Sequence, residues 1–294
     1  SVLSIKPQHE IAIIEMGANH VGEIGFLCSI SRPSHGFITN IGKAHLEGFG
    51  GIEGVIRGKS ELYHHLIQQD GVVWINSNSP ILFNMAKRFE NPLFYPNKDD
   101  FYHCELIDAN PTITFKAENK DLVQTQLVGS YNFENIAAAL CVAKYFEVDP
   151  KRANEAIADY APENNRSQII DTGQNVIILD AYNANPTSMT KAIENLQNMK
   201  SSSKVAILGD MNELGEDSKM EHQLLGDLAQ KSGIDSILFC GEKTKDAHKK
   251  NPGSLHFTHL DKLINHLQNN PIKNSTILVK GSRSMSLEKV VEYL

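Results

Sequence analysis

The amino-acid sequence predicts an α/β protein in which a mostly parallel sheet is followed by a second α/β sheet. Three features point there. The chain's 294 residues, 41% hydrophobic and 21% charged, suffice for a substantial core and match the length of about two ordinary domains. Short apolar runs alternate with amphipathic stretches through the first half, the pattern of β-α-β units. The polar, turn-rich Ala161-Pro162-Glu163-Asn164-Asn165 then separates this half from a renewed alternation, so that domains are expected at 1–163 and 164–294.

Taken in order, Ile11–Ile14 reads as a core strand. Its position ten residues from the start suggests that the chain opens partway through a domain. An amphipathic stretch near Gly22–Ile30, an apolar run at His35–Thr39, a long helical period from Ile52 to Ile67 and a run at Gly71–Ile75 continue the alternation. From Asn91 to Leu127 the pattern changes to short extended pieces, such as Thr112–Phe115 and Leu122–Leu127, expected to form an antiparallel patch. Helices are expected at Asn132–Tyr145 and at Pro150–Asp159, where proline suits the first turn. Beyond the boundary, Val176–Leu179, Val205–Leu208, Ser236–Phe239 and Thr276–Val279 read as buried strands. Helical patterns at Ser188–Met199, Met220–Lys231, Leu260–Leu267 and Leu287–Tyr293 separate or follow them.

Composition narrows the function. The 28 Lys and Arg against 35 Asp and Glu give a net charge of −7, so no general basic surface exists for nucleic acid or an anionic membrane. The four cysteines, Cys28, Cys104, Cys141 and Cys240, show no C-x-x-C spacing, which argues against a zinc ribbon or disulfide framework and fits a reducing cytoplasm. No apolar run approaches the roughly 18 residues of a membrane span. No G-x-G-x-x-G follows a strand, which leaves a nicotinamide dehydrogenase without its fingerprint.

Gly54-Val-Ile-Arg-Gly58-Lys59-Ser60 imitates a phosphate-binding P-loop but fails on glycine spacing, and it lies within a helical period instead of following a strand. Within that period Ile52, Val55, Ile56, Leu62, Tyr63 and Leu66 form one arc, and Lys59 falls near its middle. Such a lysine either snorkels or pairs, or desolvation frees its amine to take up carbon dioxide as a metal-binding carbamate. Glu15, after Ile11–Ile14, and His45, after the run ending at Ile41, are placed at the carboxyl ends of expected strands, where open α/β sheets put ligands. Glutamate and carbamate suit Mg²⁺, and histidine can complete a mixed site; alternatively Glu15 caps a turn and His45 is a satisfied loop histidine.

Several strings resemble the Mur ligases: Glu15-Met-Gly-Ala-Asn-His20, Thr39-Asn-Ile-Gly-Lys-Ala-His45, Gly58-Lys-Ser-Glu-Leu62 and Gly129-Ser-Tyr-Asn132-Phe-Glu-Asn135. Asp180-Ala-Tyr182-Asn183-Ala-Asn185-Pro186, Leu208-Gly-Asp210-Met-Asn-Glu213 and Val279-Lys280-Gly-Ser282-Arg283 extend the likeness almost to the end. The Tyr182–Pro186 and Gly209–Gly215 strings are similar to the branch that joins D-alanyl-D-alanine to UDP-N-acetylmuramoyl-tripeptide in peptidoglycan synthesis. The resemblance implies a central ATPase domain followed by a Rossmann-like carboxy-terminal domain, acting as a monomer with ATP and Mg²⁺ in cell-wall biogenesis. Family members also carry an amino-terminal domain and a P-loop, and neither string is found here. The expectation is a fragment that begins inside the central domain and does not turn over alone.

In the family, ATP phosphorylates a terminal carboxylate and the amine of D-alanyl-D-alanine attacks the acyl phosphate, chemistry that demands charge neutralisation. The resemblance implies Glu15, His45 and N6-carboxylated Lys59 as metal-side and catalytic groups, and Asn132 and Asn135 beside adenine, although Asn132 also suits an N-cap. It implies Arg166 near nucleotide phosphates, or else on the bare surface, Asp180 as acceptor for ribose hydroxyls and Tyr182 against the base. Asn183 and Asn185 contact nucleotide or dipeptide, or shape the turn before Pro186. Lys280, Ser282 and Arg283 face a phosphate or the dipeptide carboxylate, or form a solvated loop; Asp210 and Glu213 orient the dipeptide ammonium, or cap a helix. A silent nucleotide- or peptide-binding module made from the same two domains is the competing reading.

Overall fold

The computed structural model describes residues 2–163 and 165–294. It divides into two compact units, one ending at His103 and the other spanning Cys104–Leu294. The boundary residue Asn164 of the sequence expectation lies outside the described residues.

In the first unit α1 (Glu23–Ser31), β1 (His35–Phe37), α2 (Leu46–Phe49), α3 (Ile52–Gln68), β2 (Val72–Asn76), α4 (Pro80–Ala86) and β3 (Leu93–Tyr95) follow one another. The three strands pair in parallel in the order β1-β2-β3. Ile38, Tyr63, Leu66, Val73, Ile75, Leu82 and Ala86 make the core; of the arc read from the sequence of α3, Val55, Tyr63 and Leu66 are buried, Ile56 and Leu62 are half-buried and Ile52 is exposed. The glycines of the false P-loop have a packing cause. A Cβ on Gly54 would sit 1.7 Å from the Phe49 carbonyl oxygen, and one on Gly58 2.5 Å from the Phe49 ring. Only bare backbone lets α2 settle on α3.

Ile11–Ile14 is not a strand: it pairs with no neighbour among the described residues, and Ile11 and Ile13 are 53% and 87% exposed. Apolar composition suits a strand only where a partner edge and a covering face exist, and this run has neither among the described residues. Glu15 therefore follows irregular chain. His45 lies eight residues past β1, at the N-cap of α2 with φ of 53°, and not at a strand end.

In the second unit β4 (Glu105–Ala109), β5 (Thr112–Lys116) and β6 (Leu122–Val128) form the expected antiparallel patch. Then come α5 (Phe133–Tyr145), α6 (Pro150–Asp159), β7 (Gln168–Asp171), β8 (Val176–Asp180), α7 (Pro186–Asn198), β9 (Lys204–Gly209), α8 (Ser218–Lys231), β10 (Ser236–Cys240), α9 (Lys245–Lys250), β11 (Leu255–Phe257), α10 (Leu260–Asn269) and β12 (Thr276–Lys280). The six-stranded sheet runs β11-β10-β9-β12-β8-β7, parallel except for β7 against β8. The run Leu287–Tyr293 forms a 3-10 helix that packs Leu287 and Val290 into the core under this sheet. Parallel register sets Lys280 beside Asp180 and beside Leu208, gathering the carboxyl ends of β8, β9 and β12.

Candidate functional site

The candidate residues fall into two neighbourhoods, one in each unit. In the first unit Lys59 projects from α3 and is half-buried, and its Nζ donates to the Asn40 carbonyl at 2.8 Å. Burial lowers its pKa, as desolvation does when the partner is a neutral carbonyl. That bond ties α3 to the loop leading into His45. The segment carrying Glu15 reaches the same helix pair by another route: a Cβ on Gly48 would meet the Asn19 carbonyl oxygen at 2.3 Å and His20 Nε2 at 3.3 Å. Glu15 itself is exposed. Sequence reasoning missed Glu61, which follows Lys59 in the same string. Its two carboxylate oxygens accept from Gly22 N–H at 2.6 Å and Gly25 N–H at 2.8 Å, anchoring the N-terminus of α1 to α3.

No group of three or more His, Cys, Asp and Glu side chains is arranged for a metal among the described residues. Burial favours the neutral form of the Lys59 amine, the form that adds carbon dioxide.

In the second unit Asp180, at the end of β8, is held from two sides. Lys280, 1% exposed, donates to its Oδ2 at 2.6 Å and also to the Asn183 carbonyl at 3.0 Å. Ser167 N–H donates to Oδ1 at 3.2 Å. The neighbouring backbone closes the same seam, Tyr182 N–H reaching the Asn165 carbonyl at 3.2 Å. Between two residues of positive φ, Asn165 and Ser167, the Arg166 guanidinium lies 3.9 Å over the Tyr182 ring centroid, within cation–π range. Asn183 Oδ1 accepts from Ala184 N–H, and Asn185 forms a reciprocal capping box with Ser188 before Pro186.

Asn132 occupies the N-cap position of α5, yet its side chain makes no cap bond and donates instead to the Val128 carbonyl at 2.8 Å. Asn135 donates to Asn132 Oδ1 at 3.0 Å, so the two expected adenine-side amides are linked. Asp210, 9% exposed, accepts from the N–H groups of Lys243 and Thr244 at 3.1 and 2.8 Å, bracing the turn into α9. Gly241, with φ of 127°, lies against that carboxylate, and a Cβ there would be 2.3 Å from Oδ1. Ser282 Oγ accepts from Asn212 N–H, Glu213 is exposed with positive φ, and Arg283 is exposed and 3.6 Å from Glu288.

His222 also escaped the sequence reading. Buried on α8, it donates from Nδ1 to the Ser218 carbonyl at 2.7 Å and accepts Met211 N–H on Nε2 at 3.1 Å. Burial lowers its pKa, and the neutral tautomer fastens the turn that bears Asp210.

Comparison with known proteins gives this geometry its context. A family model of the Mur ligase middle domain matches residues 2–143, and one of the Mur ligase glutamate ligase domain matches residues 165–283. The UDP-N-acetylmuramoyl-tripeptide–D-alanyl-D-alanine ligase of Buchnera aphidicola is 34% identical over 306 residues, covering 100% of this chain and 67% of that protein. The chain belongs to the Mur ligase family. The enzyme of the same name from Escherichia coli is 32% identical over 310 residues, again with 100% and 67% coverage. Among solved structures, MurF from Acinetobacter baumannii superposes with a TM-score of 0.87 at 28% identity, covering 99% of this chain and 66% of that one. MurF from Thermotoga maritima in complex with ADP gives 0.81 at 26% identity, with 95% and 65% covered. This Mur ligase chain thus spans about two thirds of the length of the relatives it matches. Among the described residues, no helix is long and apolar enough to cross a membrane.

Proposed function

We propose that the protein carrying this chain is the ATP-dependent carbon-nitrogen ligase that joins D-alanyl-D-alanine to UDP-N-acetylmuramoyl-tripeptide through an acyl phosphate. The reading takes 1–163 as central domain and 164–294 as carboxy-terminal domain of a monomeric, cytoplasmic enzyme. The observation that carries it is the assembly of Arg166, Asp180, Tyr182 and Lys280 in one seam, within a chain that matches these ligases over its whole length.

Each neighbourhood has its own task. Asp180 accepts from ribose hydroxyls, its position fixed by Lys280 and Ser167. Tyr182 offers a ring face to the base, Asn132 and Asn135 offer amides to its edge, and Arg166 counters phosphate charge. Asn183, Asn185, Asp210, Glu213, Ser282 and Arg283 shape or contact the site of the dipeptide. Lys280 contributes positive charge behind them. In the first unit Glu15, His45 and carboxylated Lys59 would hold Mg²⁺, which when bound supplies charge neutralisation for the crowded oxygens of phosphoryl transfer.

The test is product formation by the chain expressed with whatever coding sequence lies upstream of Ser1. ADP release and a UDP-N-acetylmuramoyl-pentapeptide mass are expected only when tripeptide, D-alanyl-D-alanine and MgATP are all present. ADP release with another amine acceptor and none with D-alanyl-D-alanine would overturn the reading. The 294 residues alone, which contain no P-loop string, are expected to give no turnover.

A further inference from the structure

We infer that Tyr131 is a positioning residue that holds the ribose acceptor Asp180 in a fixed relation to the adenine-side amides. The inference rests on the proposed role of Asp180. Tyr131 stands immediately before Asn132, in the 3-10 turn that opens α5. Its ring lies over Gly129, where φ is 84° and a Cβ would come within 2.3 Å of the ring. The glycine thus permits both the turn and the approach of the ring.

From that platform the Tyr131 hydroxyl meets Ser167 Oγ at 2.8 Å. Ser167 is 6% exposed and carries a φ of 48°, a conformation that L residues avoid unless their surroundings impose it. Its N–H must aim at Asp180 Oδ1, and three contacts hold the segment in place: the phenol, the Asn165 carbonyl on Tyr182 N–H, and Arg166 on the Tyr182 ring. Of these, only the phenol comes from the segment bearing Asn132 and Asn135. With Ser167 on one oxygen and Lys280 on the other, each Asp180 oxygen keeps a further lone pair for a hydroxyl. Burial, and secondarily the Asp180 charge, push the Tyr131 pKa far above its ordinary value, so the hydroxyl keeps its proton at every working pH.

The pairing of Tyr131 with Asp180 predicts a defect in reading ribose, measurable with ATP and dATP as alternative substrates of the protein expressed with its upstream coding sequence. Tyr131→Phe is expected to raise the ATP KM about tenfold, the worth of one lost hydrogen bond in a site. It should shrink the ratio of dATP KM to ATP KM and lower kcat much less. Ser167→Ala should give the same split, and the double variant no further loss. Asp180→Asn separates the two claims. If it leaves the dATP to ATP ratio unchanged, the ribose reading fails. If it collapses the ratio while Tyr131→Phe keeps the wild-type ratio, the positioning role fails. A second readout needs no turnover: amide exchange at Ser167 in the 294-residue chain should accelerate in Tyr131→Phe, and an unchanged rate overturns the inference.

Discussion

Lys59 and Lys280 are both cations set where the surrounding pattern is apolar, and the structure treats them differently. Lys280 is 1% exposed and meets the Asp180 carboxylate at 2.6 Å across adjacent strands. Lys59 is half-buried on a helix, and the bond it makes goes to a neutral carbonyl, Asn40 O at 2.8 Å. Burial lowers the Lys59 pKa, whereas the charge of Lys280 is matched by an anion. The contrast teaches that the partner, more than depth, decides whether a buried amine braces the fold or is left available for chemistry.

The largest effect should come from breaking the matched pair. Lys280→Met leaves Asp180 with one fewer donor and an uncompensated charge, a change expected to cost about 3 kcal/mol in urea unfolding of the chain; a loss below a tenth of that would place the two regions on the same footing. Next, Gly54→Ala drives a methyl into the Phe49 carbonyl. It should destabilise the chain by about 2 kcal/mol net of its helix preference and loosen the loop that Lys59 holds, seen as faster amide exchange across residues 38–45. Lys59→Met should change stability by less than about 1 kcal/mol, since a flexible apolar chain replaces an amine held by one neutral bond. A loss as large as that of Lys280→Met would erase the distinction.

The smallest expected effect is a pH dependence in the second unit. The folded state lowers the His222 pKa by burial, while the unfolded chain returns it to about 6.5. Above that value both states are neutral and the contribution of His222 is complete. As pH falls below it the unfolded state takes up the proton first, so stability declines until the folded value is passed. Thermal unfolding at pH 7.5 and pH 5.5 should show this slope, and His222→Gln should flatten it.

Much of the fold was legible because parallel strands buried on both faces read as unbroken apolar runs, as in Val176–Leu179 and Thr276–Val279. The same criterion failed at Ile11–Ile14, where composition was right and no pairing edge received it. Short elements such as α4, α9 and β11 were missed because their period is too brief to distinguish them from loops, and β3, within the extended stretch from Asn91, pairs in parallel with β2 and not in the antiparallel patch. At the sites, Lys59 announced itself by interrupting an apolar arc. The partners of Asp180 and Asp210 did not, because Lys280 lies 100 residues from Asp180 and Thr244 34 residues from Asp210. Only sheet register brings them together, and no local window carries it.

The contrast between the two lysines is tested most directly by carbon-13 NMR of the chain equilibrated with carbon-13 bicarbonate. One carbamate signal beyond that of the α-amino terminus is predicted, absent from Lys59→Arg and retained in Lys280→Arg. A folded wild-type chain with no such additional signal, or an additional signal that survives Lys59→Arg, would contradict the account.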